Sequence, residues 1–154
     1  MSALILGIDP GKKGALALVD PGGDLVDVID MPDATGAALG AHLADFLDDF
    51  APHTIGCAWV EQVHAMPGQG VTSMFNFGAN YGGICTLLGG LRIRVEVVSP
   101  NRWKKAMGVT ADKRSSRDLA AARWPEHAAR FARVRDDGRA EAALLAEYGR
   151  RCGA

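Results

Sequence analysis

The chain has no CxxC pair: its three cysteines, Cys57, Cys85 and Cys152, are odd in number and widely spaced. That excludes a zinc ribbon and argues against a disulfide scaffold. No stretch approaches the ~18 apolar residues of a membrane span. No basic residue precedes the first apolar run, MSALILGIDPG, and an aspartate follows it directly, so no secretion signal is expected. Aromatic residues are scarce at 6%, and there is no internal repeat or linker. What is present, 154 residues of which 48% are hydrophobic and 23% charged, suits one compact domain spanning 1–154 in a reducing, cytoplasmic compartment.

The net charge of −1 hides an asymmetry. Residues 1–91 hold two basic side chains, Lys12 and Lys13, against ten acidic ones, a balance of −8. Residues 92–154 hold fifteen basic against eight acidic, a balance of +7. A basic half suits a local grip on a polyanion, and a solvated arginine-rich surface is the plainer alternative.

Short apolar runs at 4–9 and 15–20, separated by PGKKG, and an alternating segment at 24–31 predict three consecutive strands. Apolar residues at helical spacing predict a helix over 34–50, stopped by Pro52. TIGCAWVEQV reads as a strand buried on both faces, 72–88 as a helix rich in small residues, and 92–98 as another strand. Ser99-Pro100 opens a short helix, with further helices expected over 115–123 and from near Gly138 to Arg151. The plan is α/β: a mixed five-stranded sheet, three antiparallel strands followed by parallel ones reached through helical crossovers. In it the first and fourth strands lie side by side.

Asp9 ends an apolar strand and is followed by Pro-Gly, so it is aimed at a crevice mouth or merely closes a turn. Glu61 ends the apolar run IGCAWV, where an ionised carboxylate is costly unless paired or metal-bound. Asp137 and Glu141 stand four apart in DDGRAEAALLA and share a helix face, with Asp136 as the alternative to Asp137. The small residues Ala140, Ala142 and Ala143 let that helix approach the sheet closely. Four carboxylates from two strands and one helix make an oxygen-rich cage suited to Mg²⁺ or Mn²⁺, and to a pair of ions in phosphodiester hydrolysis.

ILGIDPG, AWVEQV and DDGRAEAALLA together resemble the acidic motifs of the RuvC-type Holliday junction resolvases, within the RNase H-like nucleases. The branch of phage, bacterial and plant chloroplast resolvases, with its DxGRAEALL-type last helix, is the nearest in pattern. The resemblance runs from Leu4 to about Tyr148. It implies a homodimeric, Mg²⁺-dependent endonuclease that nicks four-way DNA junctions symmetrically, with Asp9, Glu61, Asp137 and Glu141 as its metal-binding acids. The bacterial proteins space their last two acids three apart, whereas position 138 here is glycine, so Asp136 and Asp137 both stand as candidates.

The resemblance also implies that the segment after Glu61 is a junction-reading loop, with His64 where the bacterial proteins carry a stacking aromatic. It further implies a dimer interface on the helix over 72–88. On that helix Met74, Phe75, Phe77 and Tyr81 read as core or dimer contacts, and Gly78, Gly82 and Gly83 as points of close approach to a partner helix or to the protein's own sheet. In SPNRWKKAMGVTADKRSSRD, Lys104 or Lys105 and Lys113 fall near lysines that contact the scissile region in such enzymes. Arg102, Arg114 and Arg117 suit flanking phosphates. IDPGKKGALAL also resembles the phosphate-binding hairpin of sugar- and acetate-kinase-like phosphotransferases, but those need two such domains and an adenosine-binding segment. No nucleotide cofactor and no membrane partner are therefore expected. A DNA-structure-binding protein without catalysis is the remaining alternative.

Overall fold

A computed structural model describes residues 3–50 and 54–154. Pro52, expected to stop the first helix, lies outside the described residues. The sheet has five strands in the order β3-β2-β1-β4-β5: β1 (Leu4–Asp9), β2 (Ala15–Val19), β3 (Leu25–Asp30), β4 (Ile55–Glu61) and β5 (Arg94–Val98). The pairs β1–β2 and β2–β3 are antiparallel, and β1–β4 and β4–β5 are parallel. This is the mixed sheet the sequence predicts, with the first and fourth strands adjacent.

The period of two along each strand sorts side chains onto two faces. Leu4, Leu6 and Ile8 of β1, with Ala58 and Val60 of β4, join α1 (Gly36–Asp48) and α2 (Val71–Gly90) in one apolar cluster. Ile5 of β1 and Trp59 of β4 belong to the other, formed with α4 (Arg114–Arg123) and α5 (Asp137–Arg151). Asp9 and Glu61 share the parity of Ile5 and Trp59, so both fall on the α5 face. They are one step beyond the Ile8–Val60 pair of the parallel register.

Two glycines set how close α5 comes. A Cβ on Gly7 of β1 would strike the Ala142 carbonyl and the Ala146 amide, and one on Gly138 would strike the Lys13 carbonyl. Ala140, Ala142, Ala143 and Ala146 are fully buried in the same seam. Contact at this distance is what brings the acidic turn of α5 to the ends of β1 and β4.

Between β5 and α5 the chain forms α3 (Pro100–Met107), α4, and two short 3₁₀ segments, Pro125–Phe131 and Val134–Asp136, which periodicity does not reveal. Ser99 caps α3 by accepting from the Arg102 amide, with Pro100 in the first turn. No described helix is long and apolar enough to cross a membrane.

Candidate active site

Asp9 accepts a hydrogen bond from the Gly11 amide (3.1 Å), which fixes its carboxylate at the strand end. Burial pushes its carboxyl up to about 7, and the charges of Glu61 and Glu141 add to the rise; the Gly11 amide and Lys104 oppose it. Glu61 is likewise raised by burial and by Glu141, against a hydrogen bond from Trp103 and the charge of Lys104. Trp103, wholly buried on α3, donates its indole N–H to Glu61 Oε2 at 2.8 Å. The charges of Glu61 and Glu141 thus reach Asp9, and that of Glu141 reaches Glu61.

Lys104 is the cation that acts on all three. Lys104 Nζ is 3.0 Å from Glu141 Oε1 and 5.5 Å from the centre of the Trp103 ring. Although burial works against its charge, Glu141, Glu61 and Asp9 together hold the ammonium above its ordinary range. Glu141 also faces a groove of about 630 Å³, whose walls include Asp137, Lys104, Lys105, Lys113 and Ser116.

The two adjacent aspartates part company. Asp136 is buried and turned inward: it accepts from the Arg133 backbone amide (2.8 Å) and from the Arg133 guanidinium (2.8–3.1 Å), with Arg139 at 3.9 Å. Against the cost of burial, Arg133 holds its carboxyl below the usual range. Asp137 instead lines the groove, with Arg117 Nε 2.8 Å from its Oδ1 but without hydrogen-bond alignment. Arg117 is only 12% exposed and is committed to that pair. Arg114 is exposed beside Asp112, and Arg102 sits beside Tyr148; neither lines the groove.

His64 lies in the loop after β4 and lines a separate cleft of about 370 Å³ with Met74, Phe75, Phe77 and Tyr81. Phe75 is 75% exposed, so of the two places the sequence offered it, the core is not where it sits. A Cβ on Gly78, Gly82 or Gly83 would meet nothing, so packing against the protein's own sheet does not account for these glycines.

Sequence reasoning missed Trp103 as a partner of Glu61, and it missed Glu147. The latter is fully buried on α5 and held by Arg150 (2.7 Å), Arg151 (3.0 Å) and Arg123 (3.5 Å). The three-to-four spacing of Arg150 and Arg151 from Glu147 was the available signal.

Among the described residues, no three acids, histidines or cysteines stand close enough together to grip an ion as they are. The donor set nevertheless fits a hard divalent cation: it is all oxygen, and burial, with the neighbouring charges of Glu61 and Glu141 added, lifts Asp9 to about 7, a cost that such an ion relieves. Asp9, Glu61, Glu141 and Asp137 are the residues that could hold it.

No protein-family model and no curated protein sequence matches the chain. Solved structures do. Thermus thermophilus RuvC in complex with Holliday junction substrate superposes with a TM-score of 0.66 at 17% identity, covering 97% of this chain and 96% of that one. A second T. thermophilus RuvC structure gives 0.66 at 19% identity, with the same coverage. At such identity the likeness defines the architecture: this chain has the RNase H-like fold of RuvC, a mixed five-stranded sheet flanked by helices.

Proposed function

We propose that the protein is a RuvC-type endodeoxyribonuclease that resolves four-way DNA junctions by symmetric cleavage as a homodimer, and that it belongs with the phage, bacterial and chloroplast branch. The observation that carries this reading is the placement of Asp9 and Glu61 at the adjoining ends of β1 and β4, within electrostatic reach of Glu141, which lines a groove with Lys104, Lys105 and Lys113. Acids that hold cations, next to lysines that hold phosphate, are what phosphodiester hydrolysis needs. The RuvC structure bound to junction DNA supports the choice of substrate.

Asp9, Glu61, Asp137 and Glu141 hold the metal in this reading; Asp136, spent on Arg133, does not. Two Mg²⁺ ions, or Mn²⁺ in their place, would supply an activated water and neutralise charge on the leaving oxygen. Lys104, Lys105 and Lys113 bind the phosphates of the cleaved strand, and Lys113 offsets charge developing on the oxygens of the reacting phosphate. Arg102 and Arg114 take flanking backbone, and His64 stacks on an opened base or meets a phosphate. Arg117 serves indirectly, by holding Asp137.

The test is a labelled synthetic four-way junction against linear duplex, with Mg²⁺ or with EDTA. Cleavage of the junction alone, only with Mg²⁺, and lost in Asp9→Asn and Glu61→Gln while junction binding persists, is the expected result. Junction binding by the wild type with no cleavage under either Mg²⁺ or Mn²⁺ would leave the second reading, in which the Lys104 ammonium is the permanent counter-ion of the acids.

A further inference from the structure

We propose that Trp103 is a positioning residue of this acidic site: its indole N–H fixes the Glu61 carboxylate, and its ring carries Lys104, so that a divalent cation meets a preset ligand. The inference rests on the reading of Asp9, Glu61 and their neighbours as metal-holding acids. Trp103 is wholly buried, and its Nε1 lies 2.8 Å from Glu61 Oε2. Packing alone does not call for an indole: an aliphatic or phenyl side chain would fill apolar space, but it would leave that oxygen without its donor. Ligating carboxylates are commonly held by a hydrogen bond from behind, which fixes their orientation before the metal arrives.

The same residue reaches the cation of the site. Lys104, the next residue on α3, has its ammonium 5.5 Å from the Trp103 ring centre and 3.0 Å from Glu141. Trp103 therefore touches one acid directly and is in contact with the counter-ion of another. The helix that carries it is anchored at its start by the Ser99 cap and Pro100, directly after β5, whose Val98 is paired with Glu61. A change at Glu61 on metal binding must be felt at the indole.

The experiment uses full-length protein labelled with 5-fluorotryptophan, whose three indoles, Trp59, Trp103 and Trp124, give separable ¹⁹F resonances. Titration with Mg²⁺ should move the Trp103 signal saturably and leave that of Trp124, bonded to the Gly23 carbonyl, in place. In Trp103→Phe, Mn²⁺ affinity read from free Mn²⁺ by electron paramagnetic resonance should fall about 10- to 100-fold. A folded Trp103→Phe protein that binds Mn²⁺ as tightly as wild type overturns the inference, as does a Trp103 resonance unmoved at saturating Mg²⁺. The wild-type titration decides alone if the variant does not fold. A wild type that takes up no Mn²⁺ overturns the functional reading as well. One that binds Mn²⁺ and cleaves junctions while Trp103 stays indifferent overturns this inference only.

Discussion

Lys104 Nζ stands 3.0 Å from Glu141 Oε1, and the same ammonium acts on Asp9 and Glu61. Burial raises the Asp9 carboxyl most, the charges of Glu61 and Glu141 add to it, and Lys104 offsets only part. A carboxyl that titrates at about 7 in the fold and 3.8 outside it binds more proton folded than unfolded. Between those values, stability must fall as pH rises.

Metal-free protein should accordingly lose roughly 2 kcal/mol of unfolding free energy between pH 5 and pH 7, at about 1.36 kcal/mol per pH unit per proton. The raised Glu61 carboxyl adds in the same direction. Asp30, Asp136 and Glu147, whose carboxyls are lowered, confer stability that is lost only on acidification below this window. Urea midpoints in EDTA from pH 4 to pH 9 would display the decline, and Asp9→Asn should flatten it. A profile that stays level in the wild type removes the buried, raised Asp9 carboxyl as an account of the site.

The adjacent aspartates should separate by phenotype. Asp136 is buried and accepts its hydrogen bonds from the half-exposed Arg133, and weakening the satisfaction of such a buried group costs about 1–3 kcal/mol, so Asp136→Asn should unfold at lower urea. Asp137→Asn, altering a side chain 34% exposed in the groove, should stay folded and lose junction cleavage instead. Reversed behaviour of the two would return Asp136 to the site.

Much of this site was legible in the chain because strands have a period of two. The parity of LILGID and of IGCAWVE sends Asp9 and Glu61 to the same face once β1 and β4 are neighbours, and the βββαβ order makes them so. The small residues of α5 likewise announced a close approach. Hidden were the contacts that depend on distances between elements: Trp103 to Glu61 across 42 residues of sequence, and Arg117 to Asp137. Phe75 misled for a related reason. Helical spacing marks an apolar face, but says nothing of what covers it.

Gly138 offers a lever on the geometry alone. A Cβ there would collide with the Lys13 carbonyl and press on Gly14, all backbone, so the N-terminal turn of α5 must move. Gly138→Ala should cost about 1–3 kcal/mol. It should lower Mn²⁺ affinity and cleavage by more than that loss explains, because Asp137 and Glu141 travel with the turn. Calorimetric Mn²⁺ titration of the folded variant is the check; unchanged affinity would mean the acids do not depend on the close approach of α5.

Lys113 lines the groove with Lys104 and Lys105. If it meets a phosphate, Lys113→Ala should weaken junction binding and reduce the slope of log K against log salt by about 0.9, the share of one released counter-ion. Fluorescence anisotropy over a salt series measures this, and a parallel shift with the wild-type slope would take Lys113 out of the interface.

Dimerisation can be tested on the face of α2 that the protein leaves open. Phe75 and Val71 are exposed there, and Gly78 and Gly82 have only open space where a side chain would stand. Exposed apolar side chains beside side-chain-free backbone suit a second copy of the helix at close range, and a large residue in that space would prop the two apart. Light scattering should therefore give twice the 16.2 kDa of one chain, and Gly82→Leu should give the single-chain mass with melting of the isolated fold intact. It should also turn paired nicking of a junction into independent single nicks, since symmetric cleavage needs two active sites on one substrate. A Gly82→Leu protein that stays dimeric would move the interface to another surface.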